Sequence, residues 1–289
     1  MSKITKLTLM AIFFAIGIAN AQIETPAPSP AGSVYSKVGL TDVTIDYFRP
    51  KVKGRKIFGE GDEFLQPYGA LWRTGANSGS KLTLSTDAKI AGVDVAAGEY
   101  LILSTPGKDE WTFILYSDPS IGGNMNAYKE ENAVVKTTVK RKTLSEPVEA
   151  LTFQISDLSE DNTSANIHFA WADASFKVPI EVSFVDQVLG QIEKATKVDP
   201  RVYVQAANFY LTQGKDLDQA LAWMDMYLAE GNNSKQFWNV HTKARILAAL
   251  GKKKEAIATA KESMKMAEDS PNGDYGYIKR NKDLIKSLK

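Results

Sequence analysis

An antiparallel β-sandwich followed by a stack of α-helical hairpins is the architecture this sequence predicts. Two changes of pattern carry that expectation. From Ser33 to Phe184 apolar and polar residues alternate in short runs between turn residues, with no helical period. At Asp186 the apolar spacing becomes three and four, and it stays so to the C-terminus. A third observation makes two cores affordable: 44% of the 289 residues are hydrophobic. Four segments follow: 1–21, a signal peptide; 22–32, a Pro-rich leader; 33–185, the β-sandwich; and 186–289, the helices.

Lys3 and Lys6 precede an apolar run from Leu7 to Ile18, and Ala19-Asn20-Ala21 is a small-x-small cleavage site. Those are the three regions of a secretory signal in order. The run is too short for a permanent membrane span. The mature chain should start at Gln22 and be exported, either periplasmic or secreted. With no cysteine in the chain, neither a disulfide nor a lipid anchor on an N-terminal Cys is available. Removing Lys3 and Lys6 takes the formal net charge from +1 to −1. No basic excess remains to hold nucleic acid or an anionic membrane.

Glu24 to Gly32 is Pro-rich and reads as extended. Val43, Ile45 and Tyr47 alternate with polar neighbours and form a strand ending at Arg49-Pro50. Further strands are predicted at 81–85, 89–93, 100–104, 111–116, 134–142, 149–155, 166–171 and 176–184, with Pro179 demanding an edge or a bulge in the last. Ser117 to Asn132 is a Gly- and Asn-rich loop. After Asp186, Asp199-Pro200 starts a helix. Helical segments follow at 202–213, 217–230, 237–250, 253–266 and 275–288, separated by Gly214, Gly231-Asn232-Asn233, Gly251 and Ser270-Pro271-Asn272-Gly273. Gly214, Ala220 and Trp223 in one pair answer Gly251, Ala256 and Ala260 in the next. That spacing is similar to the tetratricopeptide repeat of about 34 residues, with Ala where helices cross closely. Such stacks hold peptides or partner segments on a concave surface.

The stretch Pro67 to Asn77 (P-Y-G-A-L-W-R-T-G-A-N) mixes aromatics, Arg and Asn with two glycines. Tyr68, Trp72, Arg73, Asn77 and Tyr100 could wall a polar-aromatic pocket for a sugar or small amphipathic ligand; equally, Trp72 could cap the core while Arg73 satisfies loop carbonyls. Arg49 and Arg55, with Lys51 and Lys53 between them, could receive a carboxylate, sulfate or phosphate through guanidinium forks, or pair with Glu60 and Asp62. His168 falls on the polar side of its strand, and His241 lies in the other domain, so a two-His metal site is not expected. Asp157, Glu160, Asp161 and Asn162 fit no cation-loop spacing and read as a turn. There is no thiol, no Gly-x-Ser-x-Gly elbow, no phosphate-cradling Gly loop and no dinucleotide fingerprint. No metal, cofactor or catalytic residue is therefore assigned.

Several of these residues also carry a likeness. Arg49-Pro50, Gly54-Arg55, Ile57-Phe58-Gly59, Pro67-Tyr68-Gly69, Trp72-Arg73-Thr74-Gly75-Ala76-Asn77, Ala97-Gly98-x-Tyr100 and Pro106-Gly107-Lys108-Asp109-Glu110-Trp111 resemble the family known as domain of unknown function 2911. The resemblance covers roughly Ser33 to Phe184. It implies an exported bacterial protein, often with helical repeats appended, and implies no activity. Ser78 departs from the acid common after the Asn in that pattern, and Gly61 to Phe64 are extra.

The expectation for function is a non-catalytic exported binding protein or scaffold. Its sandwich would take a small polar ligand, glycan or peptide at the Arg49–Asn77 region, and its helices would dock a peptide or protein partner. The alternative is a cell-envelope hydrolase using two carboxylates from Glu60, Asp62, Glu63 and Glu99, which would have to face each other across a cleft.

Overall fold

The structure, a computed structural model, describes residues 25–196 and 200–289. The signal segment 1–21, the first residues of the leader and the helix start at Asp199 lie outside them. The chain divides into two compact units, one ending at Ser183 and the other running from Phe184 to Lys289.

The first unit is built from two antiparallel sheets. β1 (Ala31–Val38), β2 (Thr41–Phe48), β5 (Ser80–Leu84), β8 (Gly98–Thr105), β9 (Glu110–Tyr116) and β10 (Ala133–Lys140) form a six-stranded sheet in that order. The second sheet has the order β11 (Lys142–Ser156), β12 (Ser164–Glu181), β6 (Ala88–Ile90), β7 (Val93–Val95). Alternation buries Val43, Ile45 and Tyr47 from β2 and Phe153, Phe169 and Trp171 from the second sheet into one core. β3 (Phe58–Gly59) and β4 (Gln66–Pro67) form a short parallel pair, and the extra residues 61–64 connect them. Gly59 is required there: a Cβ would sit 2.3 Å from the Phe64 ring.

Three elements differ from the sequence reading. β1 begins inside the Pro-rich leader, because residues 31–38 pair along their whole length with β2. The strand expected at 89–93 is a hairpin, β6 and β7, since Ala91 and Gly92 both take positive φ (51° and 80°) and reverse the chain. The strands expected at 166–171 and 176–184 are the one long β12, bent at Ala172 (φ 51°). Pro179 sits beyond Ser175, the last residue paired to β11, so a missing N–H on that side costs no ladder bond.

The second unit contains, among the described residues, α1 (Val185–Thr196), α2 (Tyr203–Gln213), α3 (Leu217–Ala229), α4 (Phe237–Ala249), α5 (Lys253–Glu268) and α6 (Tyr277–Ser287). Gly214 ends α2 in the left-handed conformation (φ 61°), and the Asp216 side chain caps α3 by accepting from Gln219 N–H at 3.1 Å. Ala220, Ala256 and Ala260 are fully buried. No helix among the described residues is long and apolar enough to cross a membrane.

Candidate functional site

The central block is organised by one backbone bridge. Trp72 N–H donates to Ser104 O at 2.8 Å, and Ser104 N–H donates to Trp72 O at 2.9 Å. An extended bridge to a strand, here β8 just past the residues paired with β5, sends successive side chains to opposite faces. Leu71 packs outward, against the small cluster of Leu101, Leu103, Ile114 and Tyr116 on the outer face of the six-stranded sheet. Trp72 goes inward and is 3% exposed. Its indole lies 5.8 Å from Trp171 in a stacked pair and edge-on to Phe58, Trp111 and Phe169. Its Nε1–H donates to Gly75 O at 3.1 Å. Thr74 is fully buried, its Oγ1 2.8 Å from Ser104 Oγ, while Ser80 Oγ donates to Thr74 O at 2.6 Å. The turn that follows uses positive φ at Thr74, Gly75, Asn77 and Gly79.

Most of the expected ligand groups are occupied by the protein itself. Tyr100 is 8% exposed and its hydroxyl donates to Ala96 O at 2.8 Å. Arg49 donates from Nε to Leu151 O (3.3 Å) and from Nη2 to Thr152 Oγ1 (3.2 Å). Arg55 donates to Val52 O (3.1 Å) and Lys51 O (2.5 Å). Arg55 thus holds its own loop and Arg49 ties it to β11, and carbonyls with the Thr152 hydroxyl take the place of the carboxylates of Glu60 and Asp62. With Pro50 O accepting from Leu151 N–H and Val52 N–H donating to Glu149 O, the segment is stitched onto β11. Tyr68 is half-buried against the core. Two walls of the expected aromatic pocket are thereby corrected: Trp72 and Tyr100 face the core.

Arg73 is the exception. The pleat sends it outward, and the loop 117–132 meets it there. Gly123 lies so close that an added Cβ would stand 2.4 Å from Asn77 O, 3.1 Å from Arg73 Cδ and 3.4 Å from Arg73 Nε. The Arg73 stem is therefore clamped between two turns. Its Nε is sealed from solvent and has no hydrogen-bond partner, and among the described residues Arg73 makes no ion pair. Only Nε is sealed in this way, so the terminal guanidinium nitrogens reach solvent. Asn77 and Ser78 are exposed beside it. The structure thus brings Arg73 and Asn77 together and places Arg49, Arg55, Tyr68, Trp72 and Tyr100 in other environments. Gly122-Gly123 was the part missed. Its signal was a Gly pair in a polar loop, but nothing in the sequence says which turn that loop covers.

Other polar groups resolve as structure. The Asp157 carboxylate accepts from Lys177, Ser156 and Asn166, and those bonds hold it down at about 2. Asp161 accepts from Ser159 and Thr163 and is likewise held at about 2. Among the described residues no three His, Asp or Glu stand close enough to hold a metal ion. Lys81 pairs with Glu99 (3.1 Å) and Lys56 with Glu63 (4.0 Å). Asp42, Glu130 and Asp283 are likewise held below the ordinary carboxylate range by their hydrogen-bond partners. His168 Nε2 lies 2.9 Å from the buried Ser175 Oγ, beside a hollow of about 330 Å³ lined by Glu146, Thr152 and Gln154; burial pushes its titration down.

Residues 29–180 match the family model described as a protein of unknown function, DUF2911. The chain belongs to that family. In this DUF2911 protein the matched region stops one residue short of the end of β12, so it covers the sandwich and leaves the helices outside. No curated protein and no solved structure matches the chain.

Proposed function

We propose that this is an exported, non-catalytic binding protein whose sandwich takes a small polar ligand, glycan or peptide at the corner formed by Arg73, Asn77 and the Gly122–Gly123 turn. One observation carries the reading: the Arg73 stem is clamped beneath Gly123 and, among the described residues, its charge has no acidic partner, so the terminal guanidinium nitrogens are the donors left for a ligand. A partly buried charge is costly to leave without a counter-charge, so one that lacks a partner calls for a role. Arg49, Arg55, Trp72 and Tyr100 are already bonded within the fold and serve as its scaffold. Export to the periplasm or beyond rests on Lys3, Lys6, the run Leu7–Ile18 and Ala19-Asn20-Ala21, and the helical stack is the docking element for a peptide or protein partner.

The test is a binding screen of glycans and envelope extract against wild type and Arg73→Ala. The expected result is a ligand retained by wild type and lost by the variant, with both proteins unfolding at similar temperature. An Arg73→Ala protein that fails to fold would make the guanidinium architectural and end the reading. N-terminal sequencing of the protein from fractionated cells, beginning at Gln22, checks the export step.

A further inference from the structure

We infer that the ligand group received at this corner is a single carboxylate; the inference rests on the binding reading above and narrows it. The guanidinium has two terminal nitrogens open to solvent, while Nε, which would serve a side-on approach, is sealed beneath Gly123. What remains is the end-on fork, two parallel donors that match the two oxygens of a carboxylate. Asn77 and Ser78 stand exposed on the same turn, and neither side chain is bonded within the described chain. An amide N–H and a hydroxyl can complete the coordination of a bound oxygen.

Charge decides between ligand classes. Arg73 is the cation argued for at this corner, and Lys81, close in sequence, is taken by Glu99 at 3.1 Å. A carboxylate carries one negative charge and is balanced by one guanidinium. A phosphate monoester carries about −1.5 to −2 at neutral pH and would leave charge unmatched. A neutral sugar would leave the half-buried cation as unpaired as before, and Trp72 and Tyr100, the rings expected to stack on it, face the core. The clamp adds preorganisation: the stem is already fixed by the close approach of Gly123, so little rotamer freedom is left to lose on binding.

The experiment is an NMR titration of the purified protein with four probes: an oligogalacturonate, its methyl ester, a short peptide rich in glutamate, and inorganic phosphate. The expected result is saturable movement of the Arg73 Nε–H and the Asn77 and Ser78 amide signals with the oligogalacturonate or the peptide, and little with the ester or phosphate. Which of the two acids binds more tightly identifies the source of the carboxylate. Arg73→Ala should weaken that binding by about ten- to a hundredfold, the range of a charged hydrogen bond. Arg73→Lys should fall between, since an ammonium cannot fork. Ser78→Glu supplies a tethered carboxylate and should block the site while the protein stays folded. If the ester binds as well as the acid and Arg73→Ala still abolishes binding, the corner binds ligand but the carboxylate assignment is wrong. Acid binding untouched by both Arg73→Ala and Ser78→Glu, or no saturable movement at these residues with any probe, overturns the inference as well.

Discussion

Replacing Trp72 separates a core residue from a ligand wall. In Trp72→Ala the indole leaves a site where it is 3% exposed and meets four aromatic rings at centroid distances from 5.8 to 6.4 Å. Truncating a buried Trp or Phe costs about 3–5 kcal/mol, from lost transfer energy and the cavity left behind. The Nε1–H bond to the buried Gly75 carbonyl is lost too, adding about 1 kcal/mol or more if water cannot replace it. About 4 kcal/mol is a large share of the 5–15 kcal/mol that holds a typical domain. Trp72→Phe keeps a ring in the stack and should cost about 1–2 kcal/mol. Because Trp223 and Trp238 in the helical unit would mix into a fluorescence signal, native-state hydrogen exchange in β5 and β8 is the cleaner assay. Refutation is simple to recognise: Trp72→Ala protecting those amides to within about 1 kcal/mol of wild type, while ligand binding disappears.

Gly123→Ala forces a Cβ to 2.4 Å from Asn77 O, so the two turns must part; an overpacking cost of about 1–3 kcal/mol and weaker ligand binding are expected by denaturation and titration. Arg49→Ala removes the donors to Leu151 O and Thr152 Oγ1 and should lower stability by about 1–2 kcal/mol while leaving binding at the Arg73 corner unchanged. His241 Nδ1 lies 2.7 Å from Asn281 Oδ1, and Asn281 in turn donates to Ser263 Oγ and Tyr277 O, joining α4, α5 and α6. Burial, followed by Arg245 and Arg280, pushes its titration below the ordinary value of 6.5, with the Asn281 bond opposing. The unfolded chain therefore takes up the proton first: stability is full above about 6.5 and falls as pH drops from there toward the folded value. Urea midpoints of the helical unit between pH 7.5 and 5 should show this slope, and His241→Gln should flatten it; an unchanged slope in the variant would place the titrating group elsewhere.

The alternation that makes a sandwich was legible in Val43, Ile45 and Tyr47, or Leu151, Phe153 and Ile155, because a half-buried strand writes its face into every second residue. The helical stack was legible for the same reason at a different period, and Ala220, Ala256 and Ala260 were recognisable as crossing points because only a small side chain fits there. The hairpin at Ala91-Gly92 was hidden because Ala is an unusual residue for positive φ. The bend in β12 was hidden for the same reason: Ala172 gives no turn signal. The roles of Arg49 and Arg55 could not be read, since three of their acceptors are the carbonyls of 151, 51 and 52, which leave no mark on a sequence, and the fourth is the hydroxyl of Thr152, about a hundred residues away.

The site itself shows the same limit at the scale of one dipeptide. Trp72 and Arg73 look like a unit in sequence, a large aromatic beside a fork of donors, and that proximity suggested a shared pocket. The bridge to Ser104 gives them the period of a strand, so neighbours must part to opposite faces. Once Trp72 is committed to the rings of Phe58, Trp111 and Trp171, Arg73 has nowhere to go but the outer face. There, Gly123 admits its stem only because it lacks a Cβ. The packed half of the block fixes the position of the open half: the same contacts that make Trp72 useless as a ligand wall hold Arg73 at the corner proposed to bind. A Trp72→Phe protein should for that reason keep its carboxylate binding, since the ring that remains still anchors the bridge, whereas Trp72→Pro, which removes the N–H given to Ser104 O, should release both the core contact and the bound acid together.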